Sequence, residues 1–234
     1  MNIVDLLIIS MIAIAVISGM YRGFISSLLS TASFFVSWAL SYMIYPSIAN
    51  SLLSNSSVMT TLNYYTDAAS KLGTGVARTD ISLVSSDVIE RAIDAISLPA
   101  PFDELLKQNI ASGAFSGIDL STVGDYVNQT IGTVVVDVLC FLVVFMACFV
   151  ALNLVIRLFN YVFRFPALKH LDALTGGVLG FARGYFFVYL LFTLVPILLT
   201  ALPVQAISDY INASKLGAHF LESNFVTSII KSAM

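Results

Sequence analysis

Apolar positions along this chain fall in four long runs rather than in a periodic scatter. The first, Ile3 to Met20, is interrupted only by Asp5, Ser10, Ser18 and Gly19. Wound as a helix at 1.5 Å per residue it reaches roughly 27 Å, which just spans the hydrocarbon core of a bilayer. The second run, Phe24 to Tyr45, is longer and stops at Pro46; the third, Ile131 to Ile156, contains Asp137 and Asn153; the fourth, Tyr185 to Leu202, is interrupted by Pro196. Each is read as a crossing helix, so the expected fold class is an all-α integral membrane protein with about four transmembrane helices. A cleaved leader is disfavoured for the first run, because Asp5 precedes it and Arg22 follows it, the reverse of the usual charge order.

Between the second and third runs the pattern changes. From Pro46 to Thr130 the chain is rich in Ser, Thr, Asn and Asp, with four Lys/Arg against nine acids, a net charge of -5. Asp87 with Glu90 three residues on reads as a capping pair opening the amphipathic stretch Val88, Ile89, Ala92, Ile93, Ile96. Pro99 and Pro101 end that helix, and Pro101-Phe-Asp-Glu-Leu-Leu starts another with proline and acids in its first turn, where both are favoured. Short helices are also expected near Ser57 to Leu72 and Leu120 to Gln129, and no strand pattern competes. The resulting layout is a transmembrane hairpin (1–45), a helical extracytoplasmic insert (46–130), a second transmembrane pair with a glycine-rich turn (131–202), and an extracytoplasmic amphipathic tail (203–234). In the tail, Ile207, Tyr210 and Ile211, and later Phe225, Ile229 and Ile230, stand at helical spacings. The tail is expected to lie on the membrane or on the insert.

Composition agrees with this class: 58% hydrophobic against 11% charged residues is far from the balance of a soluble domain. A net charge of -3 without a basic block leaves no electrostatic footprint for nucleic acid. Short loops that keep Lys and Arg stay cytoplasmic, and the first-to-second loop carries Arg22 and the third-to-fourth Arg157, Arg164 and Lys169, so both are expected at the cytoplasmic face. The insert and both termini are therefore expected outside. Cys140 and Cys148, eight residues apart in one helix, are too far apart for a disulfide and read as core thiols. His170 and His219 are the only histidines and fall on opposite sides of the membrane in this topology, so no metal site and no cofactor are expected. No Ser/His pair or paired acids converge within the spans, and the chain is not read as an enzyme.

The most informative feature is a repeated phrase, Gly19-Met-Tyr-Arg22-Gly23-Phe24 and Gly180-Phe-Ala-Arg183-Gly184-Tyr185. In each copy an arginine precedes an outward-crossing run and can snorkel to headgroup phosphates at the inner interface. Arg183 has two readings. If its helix starts at Asp172, Arg183 lies about 16 Å along it, near mid-membrane, and needs a partner such as Asp137. If Leu171 to Gly184 is instead a half-helix or re-entrant segment, Arg183 stays at the boundary, as Arg22 does; this second reading is favoured. Gly176, Gly180 and Gly184 recur every four residues, as do Gly19 and Gly23, and such stripes bare backbone for close helix approach.

The opening Asn2-Ile-Val-Asp5-Leu-Leu-Ile, the Arg22-Gly23-Phe24 turn into a Ser-rich second helix, and Leu171-Asp172 through Gly177-Val-Leu-Gly180-Phe-Ala-Arg183-Gly184 together resemble the colicin V production protein family. The resemblance covers roughly residues 1–50 and 131–200. It implies a multi-pass protein of the bacterial cytoplasmic (inner) membrane, tied to toxin or bacteriocin production and export and to envelope homeostasis, with no catalytic residues. Expected partners are the lipid bilayer and other membrane or envelope proteins, or a second copy of the chain. Two function classes follow. One is a non-enzymatic accessory or scaffold protein; the other is a small transporter or channel subunit with Asp137, Asn153 and Arg183 along a polar path. Membrane-interface or functional polar candidates are Asp5, Arg22, Gly23, Asp137, Asp172 and Arg183, and helix-packing candidates are Gly19, Gly176, Gly177, Gly180 and Gly184.

Overall fold

The structure, a computed structural model, describes residues 2–66, 77, 78, 80, 91, 93, 94, 102–112, 120, 122–162, 171–201 and 205–222. Among these every regular element is a helix: α1 (Ile3–Leu53), α2 (Ser56–Thr66), α3 (Phe102–Ser112), α4 (Val123–Val162), α5 (Leu171–Phe192), α6 (Val195–Ala201), α7 (Gln205–Asn212) and α8 (Lys215–Glu222). The one strand-like feature among the described residues is an isolated antiparallel bridge, Asp80 to Thr122. Three stretches, Ile3–Leu53, Val123–Leu158 and Ala173–Leu199, are helical, long and apolar enough to cross a membrane. The expected helix at Val88 to Ile96 lies outside the described residues except for Arg91, Ile93 and Asp94, which are helical, and Phe225, Ile229 and Ile230 also lie outside them.

Helix α1 is two arms rather than one rod. Gly23 leaves helical geometry at φ 77°, ψ 175°, a left-handed conformation that a Cβ would strain. Ser27 Oγ then donates to the Gly19 carbonyl at 2.9 Å. In a straight helix those two positions would stand about 12 Å apart. Both arms run against α5, the first antiparallel to it (Gly19 beside Gly176 and Gly180, Ala15 beside Gly180 and Gly184) and the second parallel (Thr31 to Leu179, Phe35 to Phe186). The second arm does not stop at Pro46, as its sequence suggests, but continues to Leu53. A proline costs one ladder hydrogen bond, and packed apolar helices tolerate that loss because neighbouring groups take up the freed carbonyl. Pro196 falls in the first turn of α6, where its missing N–H costs nothing.

The chain forms two compact units. The first comprises Met1–Ile48, Leu139–Thr193 and Gln205–Val226. Its surface is apolar and its interior is partly hydroxylic, the reverse of a water-soluble bundle. Ile14, Ile17, Val36, Met43, Val143, Leu154 and Val178 are exposed, whereas Ser27, Ser30, Thr31, Ser33, Ser37 and Ser41 are buried, the last two fully. Each inward hydroxyl must find an acceptor, since no water competes there. Ser37 Oγ donates to the Ser33 carbonyl at 2.6 Å, and Ser41 Oγ reaches across to the Phe141 carbonyl of α4, also at 2.6 Å. Beside them a ring cluster fills the core, with Phe34 edge-on to Phe145 at 5.1 Å and Phe145 stacked on Phe149 at 5.8 Å.

The second unit comprises Ala49–Val138, Leu194–Val204 and Thr227–Met234. Here Phe102, Leu105 and Leu106 of α3 and Val123, Val127, Ile131 and Val134 of α4 are buried. Asn109 Nδ2 donates to Thr130 Oγ1 at 3.2 Å inside this core, and Lys107 pairs with Asp94 at 2.6 Å on its surface. The start of α4 is a capping box. Asp125 N–H donates to Thr122 Oγ1 at 3.2 Å, while Asp125 Oδ2 accepts from Thr122 Oγ1 at 2.7 Å and from its N–H at 3.2 Å. The short helix expected over Leu120 to Gln129 is therefore the first part of α4 and not a separate element.

The tail is tied to the start of α1. Asp5 Oδ1 accepts from Ser214 Oγ at 2.6 Å and from the Leu216 N–H at 3.0 Å, and its Oδ2 accepts from the Asn2 N–H at 2.8 Å. Ser214 is itself the N-cap of α8, accepting from the Gly217 N–H at 2.8 Å. Phe220 of α8 packs against both Tyr185 and Tyr189 of α5, with ring centroids 5.1 and 4.7 Å away. Two polar caps and one aromatic contact thus hold the described tail helices within the first unit. Asp5→Asn removes the charge that strengthens three accepted hydrogen bonds, two of them from the tail, and should loosen tail docking. Hydrogen exchange at Leu216 and Gly217 should then quicken by more than about tenfold in the full-length protein. Unchanged protection would mean that Phe220 holds the tail without the carboxylate.

Candidate functional site

The first arm of α1 meets α5 along its glycines, backbone against backbone. A Cβ built on Gly19 would stand 2.2 Å from the Gly176 carbonyl oxygen, and one on Gly180 would stand 2.4 Å from that of Ala15. One on Gly184 would meet the Ala15 Cβ at 2.7 Å, and one on Gly177 the Met20 side chain at 2.8 Å. No larger side chain fits at Gly19, Gly176 or Gly180 unless the helices move apart. Lipid is as apolar as a leucine core, so contact of this kind, rather than hydrophobic drive, is what holds helices together in it.

Above this seam a cavity of about 650 Å³ opens among α1, α4 and α5. Three arginines from three separate stretches line it: Arg22 at the Gly23 turn, Arg157 late in α4, and Arg183 in α5. Ser30 and Asn153 also line it, and among the described lining residues there is no carboxylate. Arg183 is half-buried and donates through Nη1 to Ser30 Oγ. Asn153 Nδ2 is held by the Phe149 carbonyl at 2.8 Å and by Ser33 Oγ at 3.3 Å. The other walls are apolar, among them Phe34, Phe149 and Phe187. A second, more polar recess of about 390 Å³ carries Arg22, Ser26, Ser30, Asn153 and Arg157.

The sequence candidates separate into distinct structural roles. Gly23 makes the turn, Gly19, Gly176, Gly177, Gly180 and Gly184 lie in the seam, and Asp5 clasps the tail. Arg22 and Arg183 reach one cavity. Asp172 falls in the first turn of α5. Asp137 is buried in α4, and no ion pair or hydrogen bond to it occurs among the described residues. The favoured half-helix ending near Gly184 is not formed: α5 runs unbroken from Leu171 to Phe192, since an Arg-Gly pair within a packed helix does not by itself end it. Nor does Arg183 sit level with the turn; its partner Ser30 is seven residues beyond Gly23, about 10 Å along the second arm.

Sequence reasoning used Arg157 only for topology and did not single out Ser30. The signal was present: Ser27, Ser30, Thr31, Ser33, Ser37 and Ser41 recur at helical spacing inside an apolar run, which marks an inward polar stripe. Neither a curated protein nor a solved structure matches the chain. The family profile described as colicin V production protein does match, over residues 4–89 and 110–224.

Proposed function

The chain belongs to the colicin V production protein family, and from that premise we propose that it is a non-enzymatic accessory or scaffold protein of the bacterial inner membrane, serving toxin production and export or envelope homeostasis. It crosses the bilayer four times, through the two arms of α1, through α4 and through α5. The insert and both termini face outward, as the loop charges require. The observation that carries the scaffold role is the glycine seam. Helices locked backbone to backbone have one arrangement, which suits a fixed platform better than a rocking carrier. A transporter or channel subunit is the second reading, favoured by the cavity that Arg22, Asn153, Arg157 and Arg183 line.

Topology tests the frame. In a background lacking Cys140 and Cys148, cysteines at Ser57 and Ala213, both exposed, should react with a membrane-impermeant thiol reagent applied from outside. A cysteine at Ala167 should stay protected until the membrane is opened. Labelling at Ala167 alone would overturn the orientation. Cross-linking in mild detergent then separates the roles, since a scaffold brings down other envelope proteins and a self-sufficient pore brings down only copies of itself.

A further inference from the structure

Three cations line one cavity, with no acid among its described lining residues, and we infer that the cavity binds the phosphate of an anionic membrane lipid, headgroup against Arg22, Arg157 and Arg183 and chain along the apolar wall. This rests on the bundle lying in a bilayer but not on the scaffold role.

Charge selects the headgroup. No hydrogen bond or ion pair engages Arg22 or Arg157 among the described residues, and Arg183 has only the neutral Ser30 hydroxyl. A phosphate would neutralise like charges that line one cavity. Guanidinium donors match phosphate oxygens in paired geometry, which a lysine ammonium does not reproduce. Asn153 and Ser30 supply neutral polar atoms at the same place.

Shape and surroundings select a lipid over a free anion. The cavity is lined by Ile14, Val150 and Leu154, which are 66%, 58% and 61% exposed, so its rim is continuous with the apolar outer face of the bundle. That face is where acyl chains lie. A soluble phosphate would have to cross hydrocarbon to enter from this side, whereas a lipid already has its chain there. About 650 Å³ holds a phosphate headgroup with the first part of one chain. The arginines contributed by the Gly23 turn and by late α4 lie at the end that the loop charges assign to the cytoplasm, so the lipid comes from the inner leaflet.

The test uses the full-length protein in a neutral detergent, read by native mass spectrometry with added phosphatidic acid, phosphatidylglycerol, phosphatidylcholine or inorganic phosphate. Phosphatidic acid and phosphatidylglycerol should bind at least about tenfold more tightly than phosphatidylcholine, the difference a charge-assisted contact makes. Arg157→Gln, at an exposed side chain with no hydrogen bond or ion pair among the described residues, should erase most of that preference while leaving thermal unfolding unchanged. Equal retention of all three lipids would overturn the proposal by showing only an apolar groove. Displacement of phosphatidic acid by millimolar inorganic phosphate would overturn the lipid assignment in favour of a free-anion site. An undiminished preference in Arg157→Gln together with Arg22→Gln would overturn the arginine assignment. None of these readouts depends on toxin export, so the scaffold reading can fail separately.

Discussion

Gly180→Leu is expected to be the most damaging single change in the bundle. The Cβ alone would lie 2.4 Å from the Ala15 carbonyl oxygen and 3.2 Å from the Gly19 Cα, both backbone atoms that no side-chain rotation can clear. Three further carbons force α1 and α5 apart along the whole seam. Overpacking of this kind should cost about 3 kcal/mol or more, lowering both the unfolding midpoint in detergent and the amount of protein in the membrane. Gly180→Ala should act in the same direction by less. Val178→Leu is the control, because Val178 is exposed and its neighbour is lipid. If Gly180→Leu unfolds with the same midpoint as Val178→Leu, the seam does not hold the helices together.

The second large effect is expected at Phe145. It is almost fully buried, edge-on to Phe34, stacked on Phe149 and also stacked on Phe141 at a 6.5 Å centroid distance. Truncation to alanine leaves a void between α1 and α4. Phe→Ala in soluble cores costs about 3–5 kcal/mol. Here the low end applies, since the unfolded reference is apolar lipid and the water-transfer part of that cost is missing. Phe145→Ala should therefore lose about 3 kcal/mol in reversible unfolding from mixed micelles, while Val143→Ala on the exposed face changes stability by less than about 0.5 kcal/mol. Equal losses at the two positions would show that the ring cluster contributes no specific packing.

Much of the helical layout was legible because a bilayer leaves the chain few options. A long apolar run must close its own backbone hydrogen bonds, and helix is the way to do so within one segment. The acidic pair after Pro101 and the Thr122 to Asp125 spacing likewise mark starts by local chemistry that needs no tertiary partner. Proline misled at position 46, because its helix-breaking tendency is a local preference that packing overrides, whereas Gly23 turned the chain through a conformation other residues avoid. Arg183 differs from Arg22 for a related reason. Its phrase matches that of Arg22, but the Gly23 turn leaves helical geometry and the Arg183-Gly184 pair sits within a continuous helix.

The sequence by itself determined the solvent, the helical class and the glycine stripes, since each follows from one residue's cost in lipid or from spacing along one helix. Only the tertiary structure decided which stripe meets which, that Asp5 clasps a tail helix more than 200 positions away, and that Arg22, Arg157 and Arg183 share one cavity. Those outcomes depend on the fold-back at Gly23 and on the antiparallel approach of α1 to α5. Spacing along a chain fixes the face of a helix on which a residue stands, but the charge it meets there is set by the helix packed against that face.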